Sequence, residues 1–325
     1  MKRIILGLIC SLFLYSCTTN TDIPIKKSEF LLGTIVSITI YDNISNAELL
    51  IDESFNIIRE LEKKVSVTDV NSELSYINEN AYEKPVHISD DMFNILNGAL
   101  FYCEKSNGAF DIGIGKLIEL WGIGTENAQV PSDESLSEFI GFKAYENIVI
   151  DSEKKTVLFT DKRVKLNLGA CAKGFAEDMV IEYLKTNGVN SALLNFGGSI
   201  SVIGTKLDGA DFAVGVTNPY NESEFIDTIL VSDTSIVTSG DYQRYFVKDG
   251  IRYHHILNPA TGYPAENGLK SVTIVCESSF KADCISTAAF VLGEEKAKEF
   301  IFSEGCEYVL YGNENLKSDG LKLSA

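Results

Sequence analysis

Asp283 and Thr287 stand four residues apart in the run KADCISTAAFVLG. On a helix that spacing puts a carboxylate and a hydroxyl on one face. Two hard oxygens so placed suit a cation such as Mg²⁺, which takes oxygen ligands and keeps several waters. The same spacing fits an acid near a helix N-terminus followed by a Thr bonded back into its own helix, so the pair alone does not decide. A second stretch, KLNLGACAKGFAEDMV (residues 165–180), sets Gly169, Lys173 and Gly174 where an extended run meets a helix. That pattern is either a tight turn or an anion site, because helix N-termini hold phosphates. A third, YHHILNPATGYP (253–264), holds two of the chain's three histidines beside a turn set by Asn258-Pro259 and Thr261-Gly262. In extended chain His254 and His255 face opposite sides, so only one of them is expected to reach a site. A histidine there can act as general base toward a hydroxyl, or be an ordinary hydrogen-bonded residue.

The elements that must position these residues follow from periodicity. FLLGTIVSITIY (30–41) reads as a strand, and Ile51, Phe55, Ile58, Leu61 and Val65 mark an amphipathic helix over 46–65. Further helices are expected at 89–105 and 133–141, and NIVI and TVLF form a hairpin around 152–155. A short strand at 165–170 leads into a helix carrying Phe175, Met179 and Tyr183, with Gly188 as its C-cap. From 190 to 275 the chain is mostly strands, with Gly197-Gly198 placed for a hairpin turn or for close backbone approach to a ligand. A helix at about 282–303, interrupted at Gly293, and a strand EYVLYG end the pattern. Helices first and a strand-rich half after them give an α+β class rather than a doubly wound parallel sheet. The expected architecture is one bilobal domain, an antiparallel or mixed sheet flanked by helices. The glycines of GAFDIGIGKLIELWGIG (108–124) match neither a dinucleotide fingerprint nor a phosphate-binding loop of the nucleotide triphosphatases.

Composition narrows the class. The 325 residues are 45% hydrophobic and 23% charged, enough for a full-sized core. The net charge of −18 argues against nucleic acid as a partner. The N-terminus MKRIILGLICSLFLYSC has a basic start, an apolar run too short to span a bilayer, and a small residue before Cys17. It reads as a lipoprotein signal over 1–16 with Cys17 as the lipidated residue, or as an ordinary signal peptide. Residues 17–27 are then a tether and 28–325 the folded domain. Beyond the signal and Cys17, five cysteines remain, with no CxxC spacing. That pattern suits buried thiols better than a disulfide framework or a zinc site, and leaves room for one disulfide.

Taken in order, LLGT, NSELSYIN, GAFDIGIGKLIELWGIG, LNLGACAKGFAED, NFGGSI, VTSGDYQRYF, HILNPATGYP and the ADCISTAAFVLG run resemble the motifs of the ApbE family, flavin transferases that are often bacterial periplasmic lipoproteins. The resemblance covers nearly all of 28–325 and implies a T-fold-like domain. It implies Mg²⁺ held by Asp283, Thr287 and the backbone oxygen of Ala170. It implies a flavin nucleotide lined by Leu32, Ala109, Phe110, Asp111, Asn167, Lys173, His255 and Ile256. The chain departs from the family where Asn167 replaces a frequent Asp, Leu32 a frequent Met, and Thr68 an aromatic residue. The implied activity is transfer of FMN from FAD to a Thr hydroxyl of an acceptor, a membrane redox subunit, with release of AMP. His255 is the candidate base, with Asp241 second to it, and Asp283 is the candidate metal-holding catalytic residue. The resemblance also implies a lipid-anchored enzyme on the periplasmic side of the membrane. The alternatives are an FAD pyrophosphatase giving FMN and AMP, and a flavin-binding lipoprotein without chemistry.

Overall fold

The computed structural model describes residues 24–324. The signal segment and Cys17 lie outside the described residues. The chain opens with a hairpin of β1 (Ile25–Leu31) and β2 (Thr34–Ile40), then α1 (Ala47–Val65), α2 (Glu73–Asn80), β3 (Val86–His87) and α3 (Asp90–Lys105). Short elements follow: α4 (Gly115–Trp121), α5 (Asp133–Ser137), β4 (Ile148–Asp151) and β5 (Thr156–Phe159). After α6 (Ala172–Thr186) come β6 (Ala192–Phe196), β7 (Ser199–Ile203), β8 (Phe212–Asn218), β9 (Asn221–Val231) and β10 (Thr234–Gly240). The last part holds β11 (Tyr245–Lys248), β12 (Ile251–His254), β13 (Ser271–Cys276), α7 (Ser279–Leu292), α8 (Glu294–Ser303), β14 (Glu307–Tyr311) and β15 (Asn315–Lys317).

The main sheet has eight strands in the order β1-β2-β6-β7-β10-β13-β14-β15, all neighbours antiparallel. Its alternating side chains separate two cores, as a period of two requires. Val36, Ile38, Val272, Ile274 and Leu310 face the helices and share one large core with α1, α3, α6 and α7. Val202, Ile236, Val275 and Val309 face the other way and are covered by the β8–β9 ribbon through Phe212, Val214 and Ile229. A third, smaller core forms around Trp121, with Leu117, Leu136 and Leu257.

Several expectations change. The apolar run 30–41 is a strand end, a turn and a second strand, because Leu32 and Gly33 take positive φ values of 51° and 71°. The hairpin begins at Ile25, so the last residues assigned to a tether are built into the sheet. Residues 165–170 form no strand beyond one bridge from Lys165 to Ile114. Asn78 of α2 takes the place of a neighbouring strand there: its side chain accepts from the Leu166 amide at 2.7 Å and donates to the Leu166 carbonyl at 3.0 Å. The helix at 133 stops at Ser137. The breaks at Gly188 and Gly293 fall where expected, with φ of 83° and 79°.

Helices α6 and α7 approach each other closely at Gly174. A Cβ on Gly174 would lie 2.4 Å from the Ser279 carbonyl oxygen and 2.7 Å from the Phe280 nitrogen, both backbone atoms that cannot swing aside. Gly174→Ala therefore pushes the two helices apart. A loss of about 1–3 kcal/mol, typical of overpacking, is expected in denaturant unfolding. A variant as stable as the parent would show that the crossing is looser than described.

Candidate active site

The strand registers gather the relevant segments at one end of the main sheet. Val36 pairs with Phe196, and Gly240 with Ser271, so the Leu32–Gly33 turn, the Gly197–Gly198 turn, and the end of β10 lie together. The middle of α7 meets this end, where Ser286 and Thr287 contact Ser239 of β10, and the first turn of α6 is joined to α7 by the bond from the Gly174 amide to Asp283.

Asp283 is the centre. It is 5% exposed, and its Oδ2 accepts from the Gly174 amide at 2.7 Å. Its Oδ1 lies 3.6 Å from the Lys173 ammonium. Burial pushes the Asp283 carboxyl above its ordinary value, while Lys173 and the Gly174 amide oppose that. Gly174 is the third residue of α6, so its amide has no partner within the helix, and Asp283 satisfies it. Ala170 lies before the helix cap at Cys171, and its carbonyl accepts no hydrogen bond among the described residues. The turn itself is set by Asn167, whose Oδ1 accepts from Gly169 at 2.9 Å.

One helical turn beyond Asp283, the Thr287 hydroxyl lies 3.4 Å from Ser239 Oγ, which also bonds Ser286 at 2.8 Å. Thr287 is thus turned toward β10 and stays partly exposed. The free Ala170 carbonyl, the Asp283 carboxylate and the Thr287 hydroxyl are hard oxygen donors of the kind Mg²⁺ takes. Among the described residues no cluster of three His, Cys, Asp or Glu side chains exists to hold a softer or more heavily ligated metal.

The helix that presents Asp283 is held from α6. Asp178 accepts from Ser278 Oγ at 2.6 Å and from the amides of Ser279 and Phe280 at 2.8 and 3.1 Å, capping α7 from another helix. Beside it, the fully buried Glu177 accepts from Ser279 Oγ at 2.6 Å, and its Oε1 has no hydrogen-bond partner among the described residues. Sequence reasoning missed Asp178 and Glu177, because their partners lie far along the chain.

The two histidines separate cleanly. His254 is buried against Phe290, its Nε2 on the Ala265 carbonyl at 3.1 Å and its Nδ1 accepting from Ile256 at 3.3 Å. Both ring nitrogens are occupied and the residue is structural. His255 is half-buried, and its Nδ1 faces the Arg244 carbonyl at 3.2 Å. A carbonyl only accepts, so Nδ1 carries the proton and Nε2 presents a lone pair. Burial brings the His255 pKa down to about 4, with Arg244, His254 and Lys173 adding to the effect, so the ring is neutral at physiological pH. Trp121 steadies the loop that follows: its Nε1 donates to the Gly262 carbonyl at 2.8 Å, and its ring packs on Tyr253 and Tyr263.

The remaining predicted residues take varied places. Leu32 sits in the first turn with its amide on Glu62 at 2.7 Å. Phe110 is 2% exposed, so its ring belongs to the core. Ala109 precedes it in the loop after α3. Asp111 is buried, with its carboxylate on the amides of Gly113 and Tyr145 at 2.8 and 3.1 Å; burial raises its pKa to about 6. Ile256 is buried next to His255. Asp241 is ion-paired with Lys270 at 2.9 Å.

With this geometry in hand, comparison with known proteins is decisive. The ApbE family profile matches residues 32–310. The chain belongs to the ApbE family. Its curated relatives include an FAD:protein FMN transferase of Treponema pallidum, 33% identical over 84% of this chain and 80% of that protein. One of Klebsiella pneumoniae is 32% identical over 83% of each. Among solved structures, the ApbE protein of Thermotoga maritima superposes with a TM-score of 0.85 at 32% identity, covering 91% of this chain and 97% of that one. Flavin transferase ApbE from Vibrio cholerae gives 0.80 at 27% identity, covering 93% and 96%. The mixed α/β architecture is that of these ApbE structures.

Glu177 generates a pH prediction. Burial raises its pKa from 4.5 to about 8. Between those values the native protein keeps a proton that the unfolded chain has released. The stabilisation is complete below about pH 4.5 and is lost as pH rises through about 8. Glu177→Gln keeps the shape without the charge. Relative to the parent it is expected to gain roughly 3–5 kcal/mol above pH 8 and almost nothing near pH 4.5. Parallel stability curves for the two proteins across this range would refute that account.

Proposed function

We propose that this protein is an Mg²⁺-dependent FAD:protein FMN transferase. The observation that carries the reading is the buried Asp283 carboxylate, bonded to the Gly174 amide and 3.6 Å from the Lys173 ammonium, in a protein whose Ala170 carbonyl, just before α6, accepts no hydrogen bond among the described residues. The names of the ApbE relatives supply the activity. Ala170, Asp283 and Thr287 are the residues that would hold Mg²⁺, and a divalent cation there would supply positive charge to offset that of the FAD pyrophosphate.

The chain's own residues then have distinct tasks. Lys173 draws the pyrophosphate toward the first turn of α6. The turn at Leu32, the Ala109–Asp111 loop, Asn167 and Ile256 line the nucleotide. The neutral Nε2 of His255 accepts a hydrogen bond from the acceptor's Thr hydroxyl and orients it. The hydroxyl oxygen bonds to the phosphorus on the FMN side, the bond to the bridging oxygen breaks, and AMP leaves with that oxygen. The hydroxyl proton passes to His255. FMN remains on the acceptor, a membrane redox subunit, through a phosphoester. The signal-like N-terminus supports lipidation at Cys17 and a place on the periplasmic side of the membrane.

Incubation with FAD and Mg²⁺, with and without an acceptor domain carrying the target Thr, tests this. The acceptor is expected to gain the mass of one FMN, with AMP released in equal amount, and to gain nothing when its Thr is replaced by Ala. AMP and free FMN without an adduct would mean a pyrophosphatase. FAD left whole would mean a flavin-binding protein. His255→Ala is expected to keep FAD binding and lose about 10²–10⁴-fold in transfer, the usual range for a general base. Asp283→Ala is expected to abolish the response to Mg²⁺. Undiminished turnover in either variant would overturn its assigned role.

A further inference from the structure

On β13 and β14, Val272 stands opposite Leu310 and Ile274 opposite Tyr308. All four side chains pack on the helix side of the sheet. One step past the last pair, Val275 with Glu307, the same alternation sets Cys276 opposite Cys306, and both pack on that core too. Directly opposed residues on antiparallel strands have Cβ atoms about 4.5–5.5 Å apart. A disulfide needs about 3.5–4.5 Å, a gap that a strand end closes with a small shift. We propose that Cys276 and Cys306 are a redox modification site, a dithiol that oxidises to a cross-strand disulfide.

Position and access single out this pair. Cys276 is partly exposed and Cys306, though buried, stands directly across from it at the strand end, whereas Cys103, Cys171 and Cys284 are buried inside the main core. Burial pushes the Cys103 thiol well up, which disfavours the reactive thiolate. Within the pair the shared hydrogen bond holds Cys306 below the ordinary thiol value, with Lys281 adding to this, and raises Cys276. Lys281 is fixed there by its bond to the Glu304 carbonyl at 2.5 Å.

The chemistry balances with a small disulfide such as oxidised glutathione. The thiolate of one of the pair attacks one sulfur and releases a first glutathione thiolate. The thiolate of its partner then attacks that cysteine's sulfur in the mixed disulfide and releases the second. The two cysteine protons end on two reduced glutathiones. The bond formed closes residues 276–306 into a loop that contains α7 and α8. It thereby ties both connections of the helix that carries Asp283 and Thr287. This inference stands independently of flavin transfer.

The test treats the full chain with oxidised glutathione or with dithiothreitol, then alkylates in denaturant and maps peptides by mass. Cys276 and Cys306 are expected as one linked pair after oxidation, with Cys103, Cys171 and Cys284 alkylated in both samples. The oxidised protein is expected to melt roughly 5–10 °C higher, a rise absent in Cys306→Ser. Alkylation of both residues after oxidation, a link between other cysteines, or glutathione retained on Cys276 would each overturn the proposal. The peptide map is read on the unmodified sequence, so it decides the matter even where Cys306→Ser folds poorly.

Discussion

The hydrogen bond from the Gly174 amide to Asp283 joins the fold to the site. A carboxylate taken out of water needs partners, and leaving it unpaired costs several kcal/mol. Asp283 finds one in a backbone amide that only the absence of a Cβ at Gly174 brings within 2.7 Å. That amide is one of the first-turn donors of α6 that the helix itself cannot satisfy. One contact therefore settles the helix crossing and the surroundings of the carboxylate.

The crossing is reinforced from both directions. Asp178 of α6 caps α7, and Asp283 of α7 holds the start of α6, so each helix satisfies amides of the other. Two helices locked in this reciprocal way cannot slide without breaking charge-assisted bonds, which are roughly twice as strong as neutral ones. On the far side, Trp121 ties the loop following His255 to α4. Asn78 fixes the approach to the Ala170 turn. Each reacting segment is thus anchored to a helix, though the segments themselves are turns.

What could be read from the sequence was what is local. The i, i+4 placement of Asp283 and Thr287, the helix end at Gly188, the break at Gly293 and the Gly197–Gly198 hairpin all follow from neighbours within a few residues. The errors came where distant groups substitute for a local rule. Residues 165–170 have strand-like alternation, yet the Asn78 side chain supplies hydrogen bonds a ladder would have given. The turn at Leu32–Gly33 hides inside an apolar run because its positive φ is carried partly by a leucine. His254 and His255 have the same residue type, and only Ala265 and Arg244, eleven residues away in opposite directions, tell them apart. Glu177 reads as an ordinary polar helix residue, and nothing nearby announces that α7 will bury it.

The charge balance at the site bears on the proposed reading. The protein carries −18 overall, so its far field repels an anionic substrate. Locally, Lys173 and Asp283 lie 3.6 Å apart and together are close to neutral. The α6 N-terminus offers little more, because its Cys171 and Ala172 amides are spent on the Leu168 carbonyl and its Gly174 amide on Asp283. A pyrophosphate bearing two negative charges thus meets no net positive charge from these side chains alone. A divalent cation on the three oxygens would make the same cluster doubly positive, matching the two charges of the pyrophosphate. On the proposed reading Asp283 would be tolerated as a buried carboxylate next to an anionic substrate because it would recruit the missing charge, and a metal held there would govern binding of the nucleotide as well as its cleavage.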